Sequence, residues 1–452
     1  MKKIIFLITI FTFYSVQSQI MAGGNGYSFF KCSNGDIKAS GKNDLGQLGI
    51  GTNSPFEGPT SIVGLTNVTA ISALSDFSLF LKSDGTVWAC GENGFGQLGT
   101  GNTTDSNVPV QITTLSGIIK IAAGRQHSLF LKNDGTVWAC GRNVAGELGI
   151  GNTFQRNTPN LIPNFTTITN VAAGYGHSVF LNASGNVFSC GSNADGGLGL
   201  SFGTSQQSPT QIVISNVVAI AAGYRQSVFV KQDGTVWSCG NNLYGKLGDG
   251  TTTNRLTPVE VSTLNGIIGV ATGLYHTLFL KNNGTAWSAG NNFYGQLGNS
   301  STINRATPVQ VSNLTGTNNV VAGTNHSLFS LTDGSFYACG ENQFAFGNNQ
   351  SANSNVPVLV TGGCASLSNQ DFSKNQFNIH PNPSTGIFTI QTENPINNAK
   401  ITVADLNGRI VYISKTENLE SKALDLNHLQ NGIYILNISN ADYNHAQKIV
   451  KQ

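Results

Sequence analysis

The chain repeats one sequence pattern seven times, and this repetition limits its folds more than any other feature. Two of the clearest copies are FSLFLKSDGTVWACG at residues 77–91 and HSLFLKNDGTVWACG at residues 127–141. Every copy ends in a glycine, and these are Gly41, Gly91, Gly141, Gly191, Gly240, Gly290 and Gly340. A fixed period of about 50 residues predicts a repeat architecture in which each copy forms one structural unit.

Each unit carries the signals of four short strands. A small apolar stretch such as Ile121-Ala-Ala-Gly124 comes first, and a strand of the SLFLK type follows it. A pair such as Asp84-Gly85 then predicts a two-residue hairpin turn with positive φ angles, and TVWAC forms the return strand. After a corner of the form GxNxxGQLGxG comes an extended piece with Pro, which suits an edge strand. Four-stranded units of this length predict the blades of a β-propeller.

The same pattern, written AAGxxHSLFL…DGxVWxCGxNxxGQLGxG, resembles the repeat of the regulator-of-chromosome-condensation family. The resemblance covers about residues 20–363 and implies a seven-bladed propeller. The first and last units depart from the pattern, since Lys38 replaces the usual Trp and Phe344-Ala-Phe-Gly347 replaces the corner. We therefore expect an all-β protein: a seven-bladed propeller of four-stranded blades over residues 19–363, followed by a small C-terminal β-sandwich.

The N-terminal sequence MKKIIFLITIFTFYSVQSQ has the pattern of an export signal. Two lysines precede an apolar run, and small residues follow it, so we expect a signal peptide over residues 1–18. A membrane anchor is the alternative, but the run from Ile4 to Tyr14 is short for a bilayer. No later segment is apolar enough to span a membrane.

The region after the repeats has a different composition. A polar linker is expected over residues 364–375, and residues 376–452 contain alternating apolar positions that favour half-buried strands. These residues alone predict a small β-sandwich. A carbohydrate- or protein-binding sandwich is one interpretation of such a unit.

This C-terminal region also resembles the sorting domain of type IX secretion cargo. Four blocks carry the resemblance: HPNPSTG from His380, DLNGR from Asp405, LQNGIY from Leu429 and KIVK from Lys448. His380 stands where the family usually has Tyr. The sorting-motif residues that it identifies are Pro381, Asn382, Pro383, Gly386, Gly408, Arg409, Gly432 and Tyr434. The resemblance implies delivery by the type IX machinery of a Gram-negative bacterium, followed by release or by surface attachment with tail removal.

Charge and residue distribution argue against several function classes. Lys2 and Lys3 account for the formal net charge of +2, so no basic field remains to attract nucleic acid. Acidic residues lie singly along the repeats, and no marked pair predicts a glycoside-cleaving site. The sequence predicts no enzyme, no catalytic residue, no cofactor and no metal site.

Histidine and cysteine recur at fixed repeat positions, which favours structural roles. The histidines before Ser or Thr are expected to bond backbone groups of their own or the adjoining blade, and they are His127, His177, His276 and His326. The repeat cysteines are expected to be buried free thiols, and they are Cys90, Cys140, Cys190, Cys239 and Cys339. The two remaining cysteines, Cys32 and Cys364, are predicted to form a disulfide that joins blades 1 and 7.

A binding face is predicted from the variable positions of the repeat. The xx of AAGxxHS and the xx of GxNxxG should lie on one face, opposite the Asp-Gly turns. Packing leaves these positions free, and they are rich in Tyr and Arg, which dominate interface hot spots. The predicted partner-binding residues are Phe95, Arg125, Tyr175, Tyr224, Arg225, Tyr244, Tyr275 and Tyr294. The alternative is that these aromatics only shield the corner loops.

Together these features predict a secreted or cell-surface binding propeller that engages an extracellular protein or glycan. The resemblance supports this class, because the family includes secreted inhibitory members. One alternative is an extracellular glycan-active enzyme on a propeller scaffold. Another is guanine-nucleotide exchange, as in the family's namesake, although that target is intracellular and this chain carries an export signal.

Overall fold

The computed structural model describes residues 21–32, 34–62, 64–361, 377–405, 409–440 and 444–452. They form two compact units, one up to residue 361 and the other from residue 377. The predicted signal peptide and linker lie outside the described residues. Within the described residues, no helix is both long and apolar enough to cross a membrane.

In the described part of the first unit, the strands form seven four-stranded antiparallel sheets, which are the predicted blades. The spatial order of the strands follows the chain in every blade. Blade 1 comprises β1 (Met21–Gly23), β2 (Tyr27–Lys31), β3 (Ile37–Lys42) and β4 (Phe56–Ser61). Blade 2 comprises β5 (Val68–Ala73), β6 (Phe77–Lys82), β7 (Val87–Gly91) and β8 (Ser106–Gln111). Blade 3 comprises β9 (Ile118–Ala123), β10 (His127–Lys132), β11 (Val137–Gly141) and β12 (Arg156–Leu161).

The later blades repeat this arrangement. Blade 4 comprises β13 (Ile168–Ala173), β14 (His177–Asn182), β15 (Val187–Gly191) and β16 (Gln206–Gln211). Blade 5 comprises β17 (Val217–Ala222), β18 (Gln226–Lys231), β19 (Val236–Gly240) and β20 (Arg255–Glu260), with a 3-10 turn at Leu243–Gly245. Blade 6 comprises β21 (Ile267–Thr272), β22 (His276–Lys281), β23 (Ala286–Gly290) and β24 (Arg305–Gln310). Blade 7 comprises β25 (Thr317–Ala322), β26 (His326–Leu331), β27 (Phe336–Gly340) and β28 (Ser354–Leu359).

The hairpin turns stand at the predicted positions but are of another type. In blade 2 the Gly85 amide donates to the Lys82 carbonyl at 3.0 Å, and the Lys82 amide donates to the Thr86 carbonyl at 3.0 Å. Gly85 has a φ of +77°, whereas Asp84 does not have a positive φ. The connection is therefore a three-residue loop with a glycine bulge, and the prediction of a two-residue turn was wrong.

The hydrophobic core lies between neighbouring blades. Phe130 and Cys140 of blade 3 pack with Leu79 and Val87 of blade 2, and all four side chains are buried. Trp138 is partly buried and packs against the same cluster. Small residues of the first strands, such as Ala123, complete the cluster, so each blade buries one face against each neighbour.

The ring closes between blades 7 and 1. Met21 and Phe30 of blade 1 share a buried cluster with Leu328 and Phe336 of blade 7. The backbone continues this contact, because the Thr324 amide donates to the Gly24 carbonyl at 3.0 Å. Each blade takes its four strands from one repeat, so side-chain packing and hydrogen bonds hold the first and last blades together.

The second unit is one five-stranded antiparallel sheet around its own core. Its strands are β29 (Phe377–His380), β30 (Ile387–Ala404), β31 (Ile410–Asp425), β32 (Gly432–Ser439) and β33 (Asn444–Lys451). The long strand β30 pairs with β29, β31 and β32, so all five strands belong to one sheet that surrounds the core. In a sandwich, two separate sheets would enclose such a core. Phe388, Ile401, Leu424 and Leu436 lie in this core with no exposed surface.

Candidate binding site

The two variable loops of each blade meet on one face, as predicted. In blade 5 the Asn241 amide, at the start of the corner, donates to the Arg225 carbonyl of the first loop at 2.8 Å. Neighbouring blades are also joined there, since the Tyr175 amide donates to the Gly223 carbonyl at 3.0 Å. We call this surface, opposite the Asp-Gly turns, the loop face. Its backbone is held by hydrogen bonds within and between blades.

Four tyrosines on the loop face form a continuous series of ring contacts, which we call the tyrosine ladder. Tyr175 of blade 4 contacts Tyr224 of blade 5 with ring centroids 4.7 Å apart. Tyr224 contacts Tyr275 of blade 6 at 5.5 Å, and Tyr275 contacts Tyr244 at 5.5 Å. The rings meet edge to face, an arrangement that stabilises aromatic pairs beyond their buried area. Burial, together with Tyr224 and Tyr244, raises the pKa of Tyr275.

A buried lysine lies against the ladder. Lys246 has no exposed surface, and its Nζ lies 5.0 Å from the Tyr224 ring centroid and 5.6 Å from that of Tyr275. The ammonium donates to the Tyr224 carbonyl at 2.6 Å and to the Leu274 carbonyl at 3.2 Å. Burial lowers its pKa well below the usual value, which Asp195 partly opposes. Lys246 thus ties the loops of blades 5 and 6 together under the rings.

Two arginines flank the ladder in different ways. The Arg125 guanidinium lies 4.1 Å from the centroid of the Tyr175 ring. Arg225 lies 5.3 Å from the Tyr224 ring centroid and forms an ion pair with Asp195 at 3.0 Å. Its backbone has a φ of +54°, an uncommon value for a residue other than glycine. Such local strain is typical of functional segments.

The structure brings six of the eight predicted partner-binding residues together and leaves two apart. Arg125, the four ladder tyrosines and Arg225 form one group through the contacts above. Tyr294 instead packs against Phe293, with ring centroids 5.0 Å apart. The Phe95 amide donates to Gln97 Oε1 at 2.9 Å within the corner of blade 2, outside the ladder.

Three residues at this surface escaped the sequence prediction. Lys246 stands where three other corners have Gln47, Gln97 and Gln296 and where two have Glu147 and Gly197, so a lysine at this position was a visible signal. Leu243 and Phe293 occupy the first variable position of GxNxxG and are 45% and 72% exposed. The prediction used only the second of these two positions.

The recurrent histidines connect neighbouring blades. His127 Nε2 lies 3.0 Å from Ser178 Oγ of the next blade, and His177 Nε2 lies 3.0 Å from Ser227 Oγ. The Ser178 hydroxyl in turn donates to the Glu147 carbonyl at 2.7 Å. A hydroxyl that donates to a carbonyl accepts from the imidazole, so Nε2 carries the proton. The prediction that these histidines bond to the adjoining blade is confirmed, but the bonded group is a serine hydroxyl and not a backbone group.

Burial shapes the chemistry of both recurrent residue types. It lowers the pKa to about 3 in His127 and His276, and to about 4 in His177 and His326. The five repeat cysteines are buried free thiols, as predicted, and burial raises their pKa values. Among the described residues, no group of three or more His, Cys, Asp and Glu is placed to hold a metal ion.

One half of the predicted disulfide belongs to the described part of the chain. Cys32 is 7% exposed and lies at the hairpin turn of blade 1, where its amide donates to the Asp36 carbonyl at 2.8 Å. Cys364 lies outside the described residues, so this bridge stays a prediction.

In the second unit, three of the four sequence blocks contact one another. The Asn382 side chain donates to the Lys448 carbonyl at 2.9 Å and accepts from the Val450 amide at 2.9 Å. Lys451 Nζ donates to the Leu429 carbonyl at 2.8 Å, and the Tyr434 hydroxyl donates to the Gln430 carbonyl at 2.8 Å. The first block is thereby held against the last strand, and the last strand against the third block.

The remaining motif positions have distinct surroundings. The Gly386 carbonyl accepts from the Leu426 amide at 2.8 Å, and Gly432 begins β32. Arg409 pairs with Asp405 at 3.2 Å, whereas Gly408 lies outside the described residues. Pro381 and Pro383 flank Asn382 in the segment that precedes β30.

Comparison with known families agrees with this architecture. The RCC1-like domain matches residues 114–375, and the RCC1 repeat matches residues 84–131 and 68–97. The secretion system C-terminal sorting domain matches residues 378–452. None of the curated proteins matches the chain significantly. The sorting domain marks a type IX secreted protein of Bacteroidetes, extracellular or at the cell surface, that the secretion machinery handles.

Several solved structures share the fold. Human WBSCR16 is 23% identical, with a TM-score of 0.62, over 69% of this chain and 86% of its own. Prp20p of Saccharomyces cerevisiae is 22% identical, with a TM-score of 0.64, over 76% of this chain and 88% of its own. Yeast RCC1 (Prp20) bound to Kap60 is 20% identical, with a TM-score of 0.65, over 84% of this chain and 93% of its own.

These similarities to solved structures concern the fold alone, whereas the family assignment rests on the sequence match. The RCC1-like domain matches more than half of the residues of this chain. The chain therefore belongs to the RCC1-like domain family and carries a type IX secretion sorting domain after the propeller.

Proposed function

We propose that this protein is a secreted, non-catalytic interaction module that docks an extracellular macromolecule on the loop face of its propeller. The tyrosine ladder with its flanking arginines carries the proposal. Tyr and Arg are the residues that most often supply the binding energy of interfaces, usually as a cluster near the centre of the contact. Here six such side chains converge from blades 3 to 6.

The ladder is also held in place before any partner arrives. Each of its four rings contacts another ring, and Lys246 bonds the backbone under Tyr224. The backbone of the loops is bonded within and between blades, as at Tyr175. A surface ordered in advance loses little conformational entropy on binding, which favours affinity.

A fold-level analogy points the same way. Prp20p is described as binding Gsp1p and histones, and yeast RCC1 (Prp20) is described as bound to Kap60. The propeller architecture therefore presents protein-binding surfaces in a related chain. The analogy supports a binding function for this fold without identifying the partner here.

Affinity capture tests the proposal. The full chain, immobilised, is exposed to solubilised surface and culture-fluid proteins and glycans, in parallel with Tyr224→Ala/Tyr275→Ala and with Ile268→Ala. Ile268 is 59% exposed and lies at the Asp-Gly end of blade 6, so its variant controls for the opposite face. We expect a component that the parent and Ile268→Ala retain and the double variant loses. Equal retention by all three would refute the proposed face, and turnover of a captured glycan would instead support the enzymatic alternative.

A further inference from the structure

The carboxylates next to the ladder are already engaged, whereas one arginine is not. Asp195 pairs with Arg225 at 3.0 Å, Glu147 with Arg142 at 2.5 Å, and Asp249 with Arg255 at 2.7 Å. Glu92 accepts from Gln126 at 3.2 Å. Arg125, by contrast, has no ion pair among the described residues. The ladder therefore has at its blade 3 end a cation that forms no ion pair, although its charge still acts on the carboxylate of Glu92.

The environment of Arg125 suits it to bind an anionic group. Its guanidinium lies 4.1 Å from the Tyr175 ring centroid, and such a cation–π contact stabilises the guanidinium over the ring. Guanidinium presents several N–H donors in a fixed geometry that matches a carboxylate, and stacking on a ring leaves those donors at its edge. The positive charge at this end of the ladder is thus complementary to an acidic side chain of a partner.

At the other end, the corners of blades 5 and 6 carry exposed apolar side chains, and the blade 6 corner is bonded to a ladder loop because the Asn291 amide donates to the Tyr275 carbonyl at 2.9 Å. Leu243 and Tyr244 in the corner of blade 5 are 45% and 38% exposed, and Phe293 in the corner of blade 6 is 72% exposed. Leu243 and Phe293 occupy equivalent repeat positions, and neither lies in a core cluster between blades. Fully apolar side chains of this kind pack against apolar side chains of a partner, which proteins present more readily than glycans.

We propose that the partner is a protein whose docking segment combines an acidic side chain, bound by Arg125, with apolar side chains that cover Leu243 and Phe293. This inference rests on the proposed function and adds the chemistry of the partner. Tyr224 and Tyr275 lie between the two ends and form the central part of the proposed contact surface. The order of the two features follows the ring, from the acidic contact over blade 3 to the apolar contact over blades 5 and 6.

A displayed library of random peptides provides a probe of defined chemistry. The library is selected on the immobilised full chain after depletion on the Tyr224→Ala/Tyr275→Ala variant. We expect enriched peptides to carry Asp or Glu together with large apolar residues. A synthetic consensus peptide should bind Arg125→Glu and Phe293→Ala about tenfold more weakly than the parent chain. It should also bind more weakly at high salt, as a charge contact requires.

Matched variants on the Asp-Gly side separate local from general effects. Lys132→Glu reverses a charge in blade 3, and Ile268→Ala truncates an exposed apolar residue in blade 6. Both should leave the affinity of the peptide within about twofold, because they lie outside the contact. If Lys132→Glu weakened binding as much as Arg125→Glu, a general charge effect would replace the proposed contact.

The remaining outcomes distinguish this inference from the proposed function. Ladder-dependent peptides that are basic or lack apolar residues would overturn the inference and leave the loop face as the binding surface. Polygalacturonate, tested in the same assay, provides an acidic glycan. If it bound in an Arg125-dependent manner while no peptide did, the partner would be a glycan. If neither probe showed ladder-dependent binding, both proposals would fail.

Discussion

The ammonium of Lys246 lies 5.0 Å from the centroid of the Tyr224 ring while it donates to the backbone carbonyl of the same residue at 2.6 Å. One buried cation therefore fixes both the ring and the loop that carries it. Three other corners have Gln at this position, so the propeller packs without a lysine here. We interpret Lys246 as a positioning residue for the ladder, retained although its burial disfavours the charged form.

Lys246→Gln tests this role with the residue that the repeat itself supplies. A Gln side chain carries no charge to interact with the rings, so the ladder should become less ordered while the blade keeps its packing. We expect the near-ultraviolet circular dichroism of the tyrosines to weaken and the melting temperature to change by only about 2 °C, because the desolvation cost of the ammonium is removed as well. A large loss of melting temperature with an unchanged tyrosine spectrum would make Lys246 a structural residue of the corner.

Truncation of the ladder should reduce binding much more than stability. Tyr224 and Tyr275 lie on the loop face and outside the clusters between blades, so Tyr224→Ala/Tyr275→Ala should leave thermal unfolding nearly unchanged. The affinity for a captured partner should fall by about 2 kcal/mol or more, as for other central aromatic residues of interfaces. Isothermal titration of parent and variant measures the difference. Normal binding by the double variant, with loss of binding in variants of the Asp-Gly side, would move the site to the other face.

The sequence was sufficient to predict the propeller because its period, turns and core positions repeat. Every blade needs the same packing, so seven copies report the same structural constraint independently. The loop face was predictable for the same reason, since strand direction determines which loops lie together. The type of hairpin turn was not, because Asp84-Gly85 fits both a two-residue turn and a bulged three-residue loop.

The contacts within the ladder could not be predicted from the sequence. Tyr175, Tyr224 and Tyr275 lie in three different repeats, and only the spacing of neighbouring blades brings their rings within contact distance. Tyr294 occupies the same repeat position as Tyr244, yet its ring contacts Phe293. The sorting domain shows a related limit, since Ile433 and Ile435 alternate like core residues but face solvent at 40% and 38% exposure. The buried face of that strand contains Leu436 and Ile438 instead.

The buried histidines should make stability depend on pH in a defined window. Their pKa values are about 3 to 4 in the folded chain and return to about 6.5 on unfolding. Between these values the unfolded chain binds protons that the folded chain does not, so stability is complete above pH 6.5 and falls as the pH drops toward 4. Each histidine contributes up to about 1.4 kcal/mol per pH unit. Urea unfolding at pH 7, 6 and 5 measures this slope.

A substitution taken from the repeat provides the control for the histidines. Gln226 stands at the same position in blade 5 and donates to Thr277 Oγ1 at 2.7 Å, so Gln fits this site. Replacement of His127, His177, His276 and His326 by Gln should flatten the loss of stability between pH 6.5 and 4.5. The single variant His177→Gln should remove roughly a quarter of the slope. An unchanged slope in His177→Gln would assign the pH dependence to other groups.

The disulfide between Cys32 and Cys364 remains to be tested by chemistry. Val360 packs with Phe30 in the cluster between blades 7 and 1, and its amide donates to the Phe336 carbonyl at 2.9 Å. The chain thus leaves blade 7 at the Asp-Gly side, where Cys32 also lies. In the exported, oxidised protein we expect five free thiols under denaturing conditions, which matches the five free repeat cysteines, and seven after reduction. Peptide mapping without reduction should find residues 32 and 364 linked.

Loss of that bridge should weaken ring closure. In the chain-entropy description, a crosslink that closes so long a loop stabilises the folded state by about 3–5 kcal/mol. Cys32→Ser/Cys364→Ser should therefore melt at a lower temperature than the parent under oxidising conditions and at a similar temperature in the presence of reductant. Seven titratable thiols in the oxidised parent would show that the bridge does not form.

Two glycines of the sorting motif should respond differently to the same substitution. Gly386 has a φ of +147°, and a Cβ atom there would lie 2.0 Å from Asn427 Oδ1. At Gly432 the Cβ would meet only the Tyr434 ring at 3.9 Å, an ordinary contact. Gly386→Ala should therefore destabilise the sorting domain by about 2 kcal/mol or more, whereas Gly432→Ala should change its stability by less than about 0.5 kcal/mol.

Limited proteolysis of the full chain, with cleavage sites mapped by mass spectrometry, should show faster cleavage within residues 377–452 only in Gly386→Ala. Delivery to the cell surface should fall in parallel. Equal proteolysis of the two variants would mean that the second unit accommodates a side chain at residue 386 by moving Asn427.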